Sequence, residues 1–131
     1  MKRRLTIPHI LLLSAILLFA SCFRGQMTHK AVRQAAEKYY TMLIEGDYKG
    51  FVEGHANASQ LPEAFRSQLV DATAQFMTTG RMCKLGEVVA ISDSLFEDST
   101  AYVMLQLNYN DSTSEQIELA LVLEEDGWKM K

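Results

Sequence analysis

The sequence is poor in the residues that staple or interrupt a chain, with 2 Cys, 2 Pro and 7 Gly in 131. So few cysteines exclude a disulfide scaffold, and so few prolines and glycines exclude a collagen-like or low-complexity chain. Histidine is scarce as well, at 3, and none stands at ligand spacing from another His, Cys or Asp, so no zinc-type motif is present. Gly46, Gly50 and Gly54 lack the strand, Lys and Ser/Thr of a phosphate loop. No serine-nucleophile or cofactor-binding motif occurs either. Basic residues cluster only at Lys2-Arg3-Arg4; the formal charge is −3 overall, and without that cluster 10 Lys+Arg stand against 16 Asp+Glu, or −6. An acidic chain with no basic stripe lacks the electrostatic footprint of a nucleic-acid binder. With 48% hydrophobic and 22% charged residues, what remains is composed like one folded domain.

The one long apolar run, Ile10 to Ala20, is broken only by Ser14. It is shorter than the ~20 residues that span a bilayer. Preceded by Lys2-Arg3-Arg4 and followed by small residues, it has the three parts of a secretory signal. Leu18-Phe19-Ala20-Ser21-Cys22 resembles the lipobox of bacterial lipoproteins, with Phe19 where an aliphatic residue is usual. That resemblance implies removal of residues 1–21, diacylglyceryl transfer to the Cys22 thiol, and a protein anchored to a bacterial membrane without spanning it. The expected address is the cell envelope, on the periplasmic side of the outer membrane. Cys83 is then left without a partner, and we expect it to be a small buried hydrophobe.

Residues 22–29 read as the lipidated cysteine and a short tether that contains His29, and residues 30–131 as a single domain. Val32, Ala35, Ala36, Tyr39, Tyr40 and Leu43 recur at helical spacing, with Thr28 as N-cap and Gly46 as stop. Asp47 starts a shorter helix through Tyr48, Phe51, Val52 and His55, which its glycines should leave irregular and mobile. Pro62 opens a third, whose apolar stripe is Leu61, Phe65, Leu69, Ala72 and Phe76. After Gly80 the period becomes two. Leu85–Ser92, Thr100–Asn110, Ser114–Glu124 and Trp128–Lys131 read as strands, joined by turns at Asp93-Ser94, Asp111-Ser112-Thr113 and a type I′ Asp126-Gly127. Helices followed by strands predict α+β, with N-terminal helices packed on an antiparallel meander.

The first helix ending in Leu43-Ile44-Glu45-Gly46-Asp47-Tyr48-Lys49-Gly50-Phe51, two further helices, a sheet, and a closing Glu124-Glu125-Asp126-Gly127-Trp128-Lys129-Met130 together resemble the nuclear transport factor 2-like, or cystatin-like, superfamily. Within it the chain is most similar to small lipoproteins of Bacteroidetes. The resemblance implies a curved sheet wrapping the helices into a cone. Such a cone binds small apolar ligands, carries catalysis in some members, and in others is closed or used for protein contacts, often as a homodimer. Asp93-Ser94-Leu95, Asp98-Ser99-Thr100 and Asp111-Ser112-Thr113 resemble the O-glycosylation acceptor of exported Bacteroidetes proteins, and they are equally good turn formers.

A catalytic cone resembling ketosteroid isomerase pairs a carboxylate base with a tyrosine or protonated acid. The tyrosines available are Tyr39, Tyr40, Tyr102 and Tyr109, with Asp71 beside the stripe of the third helix, and nothing in their spacing brings them together. We therefore expect cavity lining rather than catalysis, from Tyr39, Tyr40, Leu43, Phe65, Phe76, Leu105 and Leu121. The expected function is non-enzymatic: binding a small apolar ligand or an envelope protein partner. The alternative is an interaction module with a filled core.

Overall fold

The computed structural model describes residues 25–131; the signal segment and Cys22 lie outside them. Helix α1 spans His29–Glu45. Thr28 Oγ1 accepts from Ala31 N at 3.1 Å, and Gly46 closes the helix in the left-handed region at φ 80°. Its buried face is Val32, Ala36, Tyr39 and Leu43, a spacing of three and four that forms one stripe. Helix α2, Tyr48–Glu53, starts where Asp47 accepts from Gly50 N at 3.0 Å. It stops at Glu53, so His55, which the spacing places on this helix, lies beyond its end. A Cβ on Gly54 would stand 2.3 Å from Cε1 of Tyr39, so glycine there permits close approach to α1. A 3₁₀ turn at Ala58–Gln60 leads to Pro62 and helix α3, Glu63–Thr78, followed by a second 3₁₀ turn at Gly80–Lys84.

Strands β1 (Leu85–Leu95), β2 (Thr100–Tyr109), β3 (Ser114–Glu124) and β4 (Gly127–Met130) form one antiparallel sheet in the order β1-β2-β3-β4. Register is set by the alternation of apolar residues: Ala101 faces Leu121, Leu105 faces Ile117, and Leu123 faces Trp128. One side of the sheet thus carries Ala101, Val103, Leu105, Leu107, Leu121, Leu123, Trp128 and Met130, which with the α1 stripe make the core. The pattern expected from sequence, helices on a curved antiparallel sheet, is the one observed.

Several local expectations give way. Asp93-Ser94 is not a turn, because β1 runs on to Leu95. Asp93 is held in the strand by its partners: it accepts from His29 and Arg33 of α1, and its side chain has no exposed surface. Burial alone would raise its pKa, but the hydrogen bonds from His29 and Arg33 outweigh this and hold it below the usual carboxylate range. His29 consequently belongs to α1 rather than to a tether, and Trp128 Nε1 donates to Gln26 O at 2.7 Å, so the docked structure begins earlier still. Glu37 Oε1 accepts from Ala90 N at 2.8 Å beside the bulge in β1, a second polar tie between α1 and that strand.

The β1–β2 and β2–β3 turns share one device. Asp98 accepts from both the backbone and the hydroxyl of Thr100, Asp111 does the same with Thr113, and the serine between takes positive φ, 64° at Ser99 and 69° at Ser112. The last hairpin is not type I′. Its two loop residues, Glu125 and Asp126, both have negative φ, and only Gly127 is positive, at 122°. The free edge of β4 is covered, since Ala56 N donates to Met130 O at 2.7 Å and Met130 N to Gly54 O at 2.8 Å.

Candidate functional site

Helix α1 packs chiefly on β1, whereas α3 meets α2 and the Gly80–Lys84 turn and makes no comparable contact with the sheet. Among its residues only Met77 is buried, and Phe65 and Phe76 remain 46% and 58% exposed. The stripe of α3 therefore does not close onto the core. Beneath it lies a cleft of about 440 Å³. Tyr40 and Leu43 of α1 and Phe51 of α2 form one wall, Leu69, Ala72, Thr73 and Phe76 of α3 the opposite one. Leu107 of β2, Glu115 and Ile117 of β3, and Met82 make the floor and end. Tyr40 and Phe51 meet edge to face at 5.9 Å, and Phe51 meets His55 likewise at 5.1 Å, which fixes the aromatic wall. The size lies within the range of small-molecule pockets, ~300–1,000 Å³.

Polar groups enter the lining at few points. The Thr73 hydroxyl is turned back to Leu69 O at 2.7 Å. Burial pushes the Tyr40 phenol up from its ordinary pKa, as expected where an apolar wall disfavours the phenolate. Glu115 is the carboxylate in the lining, and it is already engaged: Tyr109 donates its hydroxyl to Oε1, and Arg81 approaches Oε2 at 3.6 Å while stacking 4.4 Å over the Tyr109 ring. Burial, then the hydrogen bond to Glu115, pushes Tyr109 up to about 12.

Of the residues singled out from sequence, Tyr40, Leu43 and Phe76 line this cleft. Tyr39 does not; its ring is core and its hydroxyl donates to Trp128 O. Leu105 and Leu121, at 0% exposure, are packed in the core. Phe65 lies on α3 outside the lining, one helical turn too early. Tyr102 is on the outer face of the sheet, edge to face with Phe96 at 5.9 Å, and Asp71 is on the solvent side of α3, so neither reaches the cleft. Cys83 is exposed rather than buried, its thiol donating to Gly80 O at 3.0 Å, because the 3₁₀ turn that carries it lies on the surface. Among the described residues no group of three His, Cys, Asp or Glu is placed to hold a metal ion. Cys22 falls outside the described residues.

The lining expected from sequence did not include Phe51, Leu69, Ala72, Thr73, Met82, Leu107, Glu115 or Ile117. Glu115 had a signal: it is in phase with Ile117, Leu119, Leu121 and Leu123, so a carboxylate occupies an inward position of an otherwise apolar strand face.

No family model matches the chain, and no curated protein matches it. Among solved structures, it is similar to a Campylobacter jejuni protein described as an NTF2-like (nuclear transport factor 2-like) transpeptidase. The TM-score is 0.53 at 15% sequence identity, over 72% of this chain and 92% of the other. At that identity the likeness concerns the fold. The chain has an NTF2-like fold, with helices laid on a curved four-stranded antiparallel sheet.

Proposed function

We propose that this chain is a non-enzymatic envelope lipoprotein, anchored through lipid on Cys22 and binding a small apolar ligand in the cleft under α3. The observation that carries the reading is the unclosed cleft itself. Some 440 Å³ bounded by Tyr40, Leu43, Phe51, Leu69, Phe76 and Ile117 stands where a filled domain would have interdigitated side chains. Apolar surface of this kind contributes about 25 cal/mol per Å² when a ligand covers it.

Acyl transfer of the sort the neighbour's description implies needs a nucleophile beside a base. Cys83 is outside the cleft lining and its thiol donates to a backbone carbonyl, so that activity is not carried over to this chain. A proton-transfer enzyme would need a free carboxylate in the cleft. Glu115 is instead held by Tyr109 and Arg81.

The test is displacement of an apolar fluorescent dye, together with thermal shift, across lipids, sterols and aromatic metabolites. A ligand at 100 times its Kd stabilises by about 2.7 kcal/mol, which is a rise of roughly 10–20 °C for a domain of this size. Absence of any shift across those classes would move the reading to an interaction module. One observation favours that module: Phe96 and Tyr102, 45% and 41% exposed, form an aromatic pair on the outer sheet surface. Anchoring is tested separately. Cys22→Ala should move the protein from the membrane to the soluble fraction; a variant that still incorporates labelled fatty acid refutes the lipobox.

A further inference from the structure

The start of α1, the β1–β2 turn and an exposed aromatic pair stand together at one end of the domain. Two polar ties between α1 and β1 fix the direction: Glu37 accepts from Ala90 N, and His29 and Arg33, nearer the start of the helix, donate to Asp93. β1 therefore runs towards the start of α1, and the β1–β2 turn that follows Leu95 stands at that level. Leu123 N donates to Ser99 O of this turn at 2.8 Å, Leu123 pairs with Trp128, and Trp128 Nε1 donates to Gln26 O at 2.7 Å. Gln26 is thus pinned at the same end, four residues after Cys22. Four residues reach at most ~14 Å when fully extended, so a lipid on Cys22 keeps this end beside the bilayer.

The outer face of the sheet changes character along its strands. At the anchor end it carries Phe96 and Tyr102, 45% and 41% exposed and edge to face at 5.9 Å, with Ala120 opposite Tyr102. At the far end the same face has Gln106 opposite Gln116 and Asn108 opposite Ser114. There Gln106 donates to Asn108 at 2.9 Å, and Asn108 to Glu87 at 3.1 Å. Charge does not set this polarity. Glu97, Asp98, Glu124, Glu125 and Asp126 stand at the anchor end against Lys30, Lys129 and Lys131, so no basic excess draws that end to anionic lipid.

We propose that Phe96 and Tyr102 seat the domain on the lipid bilayer, entering the headgroup interface of zwitterionic phospholipid beside the anchor. The inference rests on the lipidation of Cys22. Aromatic rings are favoured at that interface. Two rings are too few to hold a free protein there, but a short tether makes the contact intramolecular and keeps a weak one occupied. Of the partners an aromatic pair can take, the bilayer is the one that the chain itself holds within reach. The cleft under α3 is then turned away from the membrane. Leu107 in its floor lies seven residues along β2 from Thr100, ~23 Å at the rise of a strand, so the ligand of the cleft arrives through water.

The test is quenching of tryptophan emission by phospholipid brominated on its acyl chains. The full-length chain is expressed in a bacterium, recovered from the membranes and reconstituted into vesicles of phosphatidylcholine and phosphatidylethanolamine. Three proteins are compared: the parent, Phe96→Trp, which keeps an aromatic ring, and Gln116→Trp, at the polar end of the same sheet face. Trp128, 3% exposed, is common to all three and sets the baseline. The emission added by Phe96→Trp should fall about twofold with the ring at the interface, and that added by Gln116→Trp should not change. Combining Tyr102→Ser with Phe96→Trp should weaken the quenching, and phosphatidylglycerol in the vesicles should not strengthen it. The mass of the recovered protein separates the two readings. A Cys22 without lipid overturns the anchor and the seating with it. Lipid on Cys22 with equal quenching at positions 96 and 116, with none at 96, or with quenching that needs phosphatidylglycerol, overturns the seating alone and leaves the aromatic pair to a protein partner.

Discussion

Replacing Ala72 with phenylalanine separates a cleft from a loosely packed core. Ala72 is an exposed residue of α3 whose methyl lines the apolar space facing Tyr40 and Leu107. Phenylalanine there has room to extend into the cleft without displacing a buried neighbour. Fully burying such a side chain contributes about 1.5–3 kcal/mol. In a cleft open on one side, about half of that is expected. Against it stands a helix-propensity cost of up to ~0.7 kcal/mol for an aromatic residue relative to alanine. The net effect is a gain of a few tenths to about 1 kcal/mol, so the melting temperature should stay the same or rise by less than ~8 °C. Ligand binding should respond in the opposite direction, because the ring takes the space that a ligand must fill. A loss of at least tenfold in affinity, ~1.4 kcal/mol, is expected for an apolar dye titrated into both proteins. An unchanged dye affinity would refute the assignment of the ligand to this cleft. A fall in melting temperature beyond ~15 °C would refute the cleft itself, since it would mean that α3 already packs on the sheet.

Leu121→Ala should cost about 2–5 kcal/mol, because Leu121 is 0% exposed beside Ala101 and Met130; a loss below ~0.5 kcal/mol in urea denaturation would place it on the other sheet face. Gly54→Ala should destabilise by about 1–3 kcal/mol, since the new Cβ would meet the buried Tyr39 ring at 2.3 Å, whereas Gly86→Ala should be tolerated better because its nearest neighbour, at 2.2 Å, is the end of the Asn110 side chain. Thermal melts of the two variants check the contrast, and equal losses would count against it. Tyr109, ordinarily near 10 and held at about 12 in the fold, favours its protonated form in the native state. Its contribution is thus complete below pH 10 and lost as pH rises from 10 towards 12. Stability of the parent should fall more steeply than that of Tyr109→Phe across that window, and coincident slopes would exclude the effect.

The strands were legible because their signal is a strict period of two over many residues. From Ala101 to Tyr109 and from Ile117 to Leu123 every second side chain is the one that the sheet turns inward. The joints were less legible. Asp-Ser reads as a turn at three places, and the structure uses it so at Asp98 and Asp111, where a threonine two residues on donates twice to the aspartate. Asp93 lacks that threonine and has His29 and Arg33 across the interface instead. No local rule records a partner 60 residues away.

Helices α1 and α3 show why the site was half visible. Both α1 and α3 carry apolar residues at helical spacing, and that spacing states that a face avoids water without stating what covers it. In α1 the cover is the sheet: Val32 and Ala36 are 0% exposed, and Tyr39 gives its hydroxyl to Trp128 O. In α3 the stripe from Leu69 to Phe76 has the same spacing, yet its neighbours across the cleft, Tyr40 and Leu107, bound a space rather than meeting it. Tyr39 and Tyr40 divide along the same line. Adjacent in sequence, they point about 100° apart around the helix, so one ring is committed to the core and the other to the cleft wall. A chain that needed only stability would have closed α3 onto the sheet with larger residues at Ala72 and Thr73. Small residues at those two positions, between aromatics at 51 and 76, leave an apolar space that the proposed ligand would cover.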